Sequence, residues 1–416
     1  MKHYLVIQLA RFGDLIQTKR LLATLCARED ATVHLCVDAS LEALARLVYP
    51  GVEVHPIMAH GTGLNGREAT LRVLTNNRRT FDALASTDFE TVYNLNFSGL
   101  NFRLAALFDP DRVEGYAWKN GQEMTTTWPA MAMRWTNYRR IGMNLVDFWA
   151  GYCPDRIAPD TVNPEATPKG GGIGVVLAGR ESRRSLPAPL LARMTSTMAG
   201  IRASNRIVLL GGQSEHKAGQ EVLKNLPTGL SDKTENLAGK TDWHSLTDIV
   251  GSLDVLLTPD TGTMHLAAHL GTPVTAFFLS SAWCFETGPY GRGHTVYQAV
   301  RDCLPCLESA PCPLDIACLG GFADPGFQRL LATRNPSRVP EGIIGFDSYF
   351  DNLGQLYVPF AGEDVNAPQR NEFRRFLHQY QSGENLGVTH ADHVFAHQFF
   401  MEKDWMADKQ HVNSIG

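Results

Sequence analysis

Two rhythms alternate along the chain. Short runs of consecutive apolar residues are separated by longer stretches in which apolar positions recur every three or four residues. Runs of the first kind suit strands buried on both faces and stretches of the second suit helices laid across them, so together they specify parallel sheets covered on both sides. In the first half the apolar runs fall at 4–9, 33–37, 52–57 and 91–95. Between them, 14–26 carries Leu15, Leu21, Leu22 and Leu25 on one stripe, and 67–85 carries Leu71, Leu74, Phe81 and Leu84. A Pro/Gly-rich stretch at 154–172 reads as a linker. Beyond it strands are expected at 173–177, 206–210, 255–258 and 274–278, with helices at about 188–201, 215–226, 243–252 and 262–270. Two tandem βα modules predict an α/β protein of two Rossmann-like, doubly wound domains facing a cleft, with ligands at the strand C-terminal ends. The chain divides accordingly into 1–160, 161–335 and 336–416. The last part is polar and aromatic without a strand pattern and is expected to be a mostly helical extension; its His390, His393 and His397 fit one solvated helical face better than a ligand set.

Composition sharpens this picture mainly by exclusion. A chain of 416 residues, 44% hydrophobic and 19% charged, has material for more than one packed core. A net charge of -5 gives no broad nucleic-acid footprint. The opening apolar run is interrupted by Arg11 and Asp14, the wrong shape for a signal peptide, and the longest apolar stretch, 274–285, is broken by Ser280 and Ser281. The expectation is a cytoplasmic protein with at most peripheral contact at the inner face of a membrane. Its eight cysteines then read as thiols or metal ligands rather than a disulfide framework. Four of them, Cys303, Cys306, Cys312 and Cys318, crowd into a Pro-rich loop as C-x2-C-x5-C-x5-C, a soft donor set suited to structural zinc or iron with no position left for substrate. Four reduced thiols in a compact loop are the plainer alternative.

The sharpest motif is Thr258-Pro-Asp260-Thr261-Gly262-Thr-Met-His265-Leu-Ala-Ala268, followed by Gly271 and Pro273. A buried strand runs into two good capping residues and then into a helix closed by Gly and Pro. Such a helix start aims free backbone N–H groups outward, where they suit a diphosphate. Asp260 and Thr261 as mere structural caps are the bland alternative, outweighed because cap, glycine, histidine and strand end coincide. A rival motif, Gly61-Thr-Gly63-Leu-Asn-Gly66, has dinucleotide-fingerprint spacing with Asp82 downstream, but it follows the third expected strand instead of the first; it carries an NAD-dependent oxidoreductase as the minority reading. Gly239-Lys240-Thr241 resembles the end of a P-loop but has Thr234 where the motif needs glycine, and is set aside. A non-catalytic binding protein on the same fold is the third reading.

The 260–268 run, together with Arg11-Phe-Gly-Asp14-Leu-Ile-Gln-Thr18, Gly211-Gly212-Gln-Ser-Glu215 and Gly288-Pro-Tyr-Gly291, resembles glycosyltransferase family nine, the bacterial heptosyltransferases of lipopolysaccharide core synthesis, which have the GT-B fold. The resemblance covers about residues 1–335. It implies an inverting transferase that moves a sugar, heptose by analogy, from a nucleotide diphosphate sugar such as ADP-heptose to a saccharide or glycolipid acceptor, with no cofactor required for catalysis. It implies Asp14 as general base toward the acceptor hydroxyl, and donor binding by Asp260, Thr261, Gly262 and His265, with Glu215 near the donor. From its residues alone Asp14 is equally well an N-cap. The family's phosphate-side lysine before Trp-Pro is replaced here by Arg183-Arg184-Ser-Leu-Pro187, so either arginine fits the phosphate role. The chemistry agrees: a departing diphosphate needs fixed cations or N–H donors, and the attacking hydroxyl needs a carboxylate to take its proton. The aromatic run at 97–108, with Asn94, Asn96 and Asn101, serves either the acceptor side or helix packing.

Overall fold

A computed structural model describes residues 1–59, 66–129, 142–178, 182–306 and 311–382. The described residues fall into two compact units, one within 1–138, 148–157 and 379–416, the other within 139–147 and 158–378. Each is an α/β unit around its own sheet, as the alternating rhythms of the sequence predict. The rival glycine run falls outside the described residues except for Gly66, which opens the helix Gly66–Ser86, and His390, His393 and His397 fall outside them as well.

The first sheet has six strands: β1 (Lys2–Gln8), β2 (Ala31–Asp38), β3 (Glu53–Ile57), β4 (Phe89–Asn94), β5 (Val113–Lys119) and β6 (Gln122–Thr125), in the order β3-β2-β1-β4-β5-β6. Pairing is parallel through β5 and antiparallel at β6. Residues 4–8 of β1 are buried without interruption, which is why this strand reads as a continuous apolar run at the middle of its sheet. The expected helix at 14–26 is two, Phe12–Gln17 and Lys19–Cys26. The break falls at Thr18, whose hydroxyl donates back to the Asp14 carbonyl at 2.8 Å and accepts from Gln8 Nε2 at 3.2 Å. The asparagines serve packing: buried Asn94 donates to the carbonyls of Asn101 and Tyr116, and Asn101 donates back to Asn94 Oδ1 at 2.7 Å. Beside them Gly115 has φ +101°, and a Cβ there would lie 2.1 Å from the Asn94 carbonyl oxygen, so only glycine fits.

The second sheet has eight strands: β7 (Ile173–Val176), β8 (Ile207–Leu210), β9 (Thr234–Asn236), β10 (Val255–Thr258), β11 (Val274–Phe278), β12 (Thr295–Ala299), β13 (Ile343–Phe350) and β14 (Gln355–Ala361). Their order is β14-β13-β12-β11-β10-β7-β8-β9, parallel from β9 to β12 and antiparallel across β13 and β14. Here the structure corrects the expectation of a mostly helical stretch after residue 336. A helix, Ala367–Ser382, is present, but β13 and β14 extend the sheet as an antiparallel edge. Their signal is masked by aromatic residues on both faces and by Pro359, which is tolerated because β14 is an edge strand. The segment ahead of Phe148 is also woven into this unit: Asp147 accepts from the Tyr290 hydroxyl at 2.6 Å and from the Gln355 amide at 2.7 Å, and Asn144 donates to the Gly288 carbonyl at 3.1 Å.

Candidate active site

In the second unit β10 is buried at every position and lies between β7 and β11 in the middle of the sheet. Its C-terminal end delivers Asp260 and Thr261. Thr261, extended at φ -147°, is the N-cap of the helix Gly262–His269, with its hydroxyl accepting from the Met264 amide at 3.3 Å and lying 3.0 Å from the Thr258 hydroxyl. Gly271, at φ +69°, follows the helix end as expected. The amides of Met264 and His265 turn back to the Thr261 carbonyl, whereas those of Gly262 and Thr263 have no bond to a described residue. These two are the orphan donors of a helix start, and both residues keep partial exposure.

Around Asp260 three groups converge. Arg184 Nη1 lies 3.4 Å from Oδ2, the Thr287 hydroxyl donates to Oδ2 at 3.0 Å, and His265 Nε2 lies 3.8 Å from Oδ1. Arg184 is anchored by Nε to the Ser281 hydroxyl at 2.7 Å. His265 is buried, and desolvation pushes its pKa down to about 3, so near neutral pH it is an uncharged imidazole and its approach to Asp260 is not an ion pair. The sequence offered Asp260, Thr261, Gly262, His265 and either arginine, and the structure brings these together with Arg184 as the arginine. Arg183 instead lies in electrostatic reach of Cys306 and Cys312. Ser281 and Thr287 were missed. Ser281 closes the apolar run of β11, and Thr287 immediately precedes Gly288-Pro-Tyr-Gly291, so a polar residue at each strand or motif boundary was the available signal.

Glu215 stands apart from this cluster. It follows β8 and closes a capping box, its Oε2 accepting from the Gly212 amide at 2.7 Å and its Oε1 from Ser214 at 2.5 Å.

The four cysteines form a loose group. Cys306 and Cys318 each lie in electrostatic reach of Cys303, and Cys306 also of Cys312. No three of their sulfurs lie within 4.8 Å of one another. Cys312 Sγ accepts from the Ile316 amide at 3.4 Å, and backbone donors from Leu314 and Ile316 hold its thiol below the ordinary range. Cys318 and Cys306 are pushed up by burial.

In the first unit Asp14 sits in the turn that follows β1. Its Oδ2 accepts from the Arg11 amide at 3.1 Å, so Asp14 is not the N-cap that its sequence position also allowed but the third residue of the helix, reaching back to the N-cap Arg11. The turn is held by Asn96, which accepts from the Leu9 amide at 2.6 Å and donates to Gln8 Oε1 at 2.5 Å. Desolvation pushes Asp14 up to about 6 although its side chain keeps partial exposure, and pushes nearby Lys19 down to about 8. A half-buried carboxylate with a pKa near 6, spending one oxygen on a cap, retains basic capacity on the other. Phe97 stands exposed against Phe102 and Tyr116.

Comparison with known proteins follows this geometry. Residues 198–315 match the model of glycosyltransferase family 9 (heptosyltransferase), a segment that contains Glu215 and the whole Asp260–His265 helix start, but neither Asp14 nor Arg184. Lipopolysaccharide heptosyltransferase 2 of Escherichia coli (strain K12) is 34% identical over 73 residues, 18% of this chain and 21% of that protein. Lipooligosaccharide heptosyltransferase 2 of Haemophilus influenzae is 32% identical over 72 residues, 17% and 21% of the two chains. The matched stretch thus spans about a fifth of the length of these relatives. Among solved structures, a glycosyl transferase family 9 protein from Veillonella parvula DSM 2008 superposes with a TM-score of 0.55 at 18% identity, covering 71% of this chain and 86% of its own. E. coli heptosyltransferase WaaC with ADP superposes with a TM-score of 0.52 at 14% identity, covering 72% and 93%. The fold is therefore the two-domain α/β GT-B fold, and the likeness to family 9 drawn from the motifs is the one found by the family model.

Proposed function

We propose that this protein is an inverting glycosyltransferase that takes a nucleotide diphosphate sugar as donor. The observation that carries the reading is the meeting of Arg184 with Asp260, Thr287 and two unbonded helix-start amides at the C-terminal end of β10, all but the arginine inside the segment similar to family 9. Transfer breaks the bond between the anomeric carbon and a phosphate oxygen, so negative charge grows on the departing diphosphate. Arg184 and the amides of Gly262 and Thr263 supply fixed positive potential for it. Asp260 cannot serve the phosphates, being an anion; it accepts hydrogen bonds from donor hydroxyls, and Thr287 fixes its orientation. Neutral His265 packs against that carboxylate and donates or accepts without adding charge. Asp14 takes the proton of the acceptor hydroxyl as that oxygen attacks the face opposite the leaving group, and a single displacement inverts the anomeric centre. No metal or cofactor enters these steps.

Relatives named as lipopolysaccharide and lipooligosaccharide heptosyltransferases, and one solved with ADP, support heptose as the sugar, ADP as the nucleotide and a core saccharide as the acceptor. Such an acceptor places the enzyme at the cytoplasmic face of the membrane. Among the described residues no helix is long and apolar enough to cross one. The four cysteines are read as a structural site for zinc or iron, with Arg183 balancing thiolate charge. Because tetrahedral Zn–S bonds of about 2.3 Å bring sulfurs closer than 4.8 Å, the loop would contract around the ion.

Thermal unfolding with added nucleotides tests the donor site. ADP and ADP-heptose at about 100 times their dissociation constants stabilise the protein by about 2.7 kcal/mol, seen as a rise in Tm, while NAD gives none. A chain whose Tm responds to NAD and to no nucleotide sugar belongs to the oxidoreductase reading instead.

A further inference from the structure

One polar cluster lies away from the features used above. The first three strands of the N-terminal sheet each place imidazole or carboxylate on one face: His3 on β1, His34 on β2, and Glu53 with His55 on β3. The register makes this unavoidable. His34 is the partner of Glu53 across the β2–β3 ladder and Cys36 is that of His55, so Glu53 and His55, two residues apart, flank His34 on the same face. The rings form a row, His3 Nδ1 lying 2.9 Å from His34 Nε2 and His34 Nδ1 lying 2.9 Å from His55 Nε2. Glu53 Oε2 closes on the same His34 Nδ1 at 3.3 Å.

His34 Nδ1 therefore faces a carboxylate oxygen and a second imidazole nitrogen together. The three ligand atoms of His34, Glu53 and His55 lie within 4.8 Å of one another, the only such trio of His, Cys, Asp or Glu among the described residues. One proton between them satisfies these acceptors incompletely, whereas one cation satisfies all three. We propose that His34, Glu53 and His55 bind a divalent first-row transition-metal ion of the zinc class, through His34 Nδ1, His55 Nε2 and Glu53 Oε2. Two imidazoles and one carboxylate are donors that such ions favour over calcium or magnesium. Metal–ligand bonds of about 2.0–2.1 Å in tetrahedral geometry set ligand atoms a little over 3 Å apart, close to the 2.9 Å and 3.3 Å that His55 Nε2 and Glu53 Oε2 keep from His34 Nδ1. His3 takes the outer position, bonded to the other ring nitrogen of the buried ligand His34 and fixing its tautomer. Arg46, which lies in electrostatic reach of His55, is occupied by Glu42 at 2.9 Å and does not take the carboxylate. Glu53 is largely exposed and β3 is the sheet edge, so ions enter from solvent and the fourth position is left for water. The ion clips an edge strand to its neighbour, a role independent of sugar transfer.

Cobalt(II) titration of the full chain separates this site from the cysteine loop, because histidine and carboxylate ligation gives visible ligand-field bands without the near-ultraviolet thiolate charge-transfer band. Wild-type protein is expected to bind one cobalt of the first kind, displaced by zinc. Glu53→Gln, an exposed change that leaves packing intact, and His55→Ala each weaken that binding at least tenfold. Both variants keep the metal-free circular dichroism and Tm of wild type. The proposal is overturned if neither variant alters cobalt affinity or stoichiometry, or if every bound cobalt shows thiolate bands.

Discussion

At the scale of single residues, Asp14 sets activity against stability. Its pKa in the fold, about 6, lies above the ordinary 3.8, so the protonated form is favoured by folding and the ionised form carries a cost that begins above pH 3.8 and is complete above about pH 6. A two-unit shift on a partly exposed group corresponds to about 1–3 kcal/mol. Asp14→Asn keeps an oxygen for the Arg11 amide and removes that cost. The variant should melt higher than wild type at pH 7.5 and equally at pH 3.5, while its kcat falls by roughly 10²–10⁴. In the wild type, kcat/KM should fall tenfold per pH unit below about pH 6 as the base is protonated. A variant that turns over normally, with an unchanged acid limb, returns Asp14 to the role of cap alone. The arginine pair shows what a sequence cannot resolve at this scale. In the short 3-10 turn Ser182–Arg184, neighbouring side chains point about 120° apart, so one position decides between Asp260 and the cysteine loop, and no spacing rule reaches that far.

At the scale of elements, the helix Gly262–His269 is two turns long and depends on its start. Thr261→Ala removes the cap to the Met264 amide and should cost about 1 kcal/mol in denaturant unfolding. If the two amides before it grip the donor, fraying of this turn should raise the KM for the donor several-fold more than it lowers kcat, and steady-state kinetics would show the split. Equal losses in both parameters would mean that the turn contributes only structure. This element was legible because every signal agreed: β10 and β11 have the bounds expected from their apolar runs, and Pro, Asp, Thr and Gly punctuate the turns between them. Of the strands at the sheet margins, β3 was legible as the run at 52–57, whereas β6, β9 and β14 were not. Gln122–Thr125 has no buried position and Gln355–Ala361 mixes buried and exposed ones, and an edge strand of either kind lacks the apolar run that marks a central one. The histidine row was hidden for a different reason, since its members are spread over 52 positions and meet only through strand register.

At the scale of the molecule, the stretch from β13 to Leu377 belongs to the core of the second unit. Phe346, Phe350, Tyr357, Phe373, Phe376 and Leu377 are all buried. At about 1.5–3 kcal/mol each they represent roughly 9–18 kcal/mol of burial, as much as a typical domain's entire stability of about 5–15 kcal/mol. A chain ending at Arg338 should therefore be insoluble or lack a cooperative calorimetric transition; one that melts cooperatively near the wild-type Tm would make these residues a removable appendage. Asp147 has a consequence for dissection of a different kind. It is bonded to Tyr290 and Gln355 in the second unit, while the next residues, Phe148–Ile157, belong to the first. The polypeptide passes from one unit to the other four times, after 138, 147, 157 and 378. No single cut yields two self-sufficient halves, so chimaeras that exchange donor specificity between relatives must carry four splice points, and recombination at one would strand a buried carboxylate without its tyrosine.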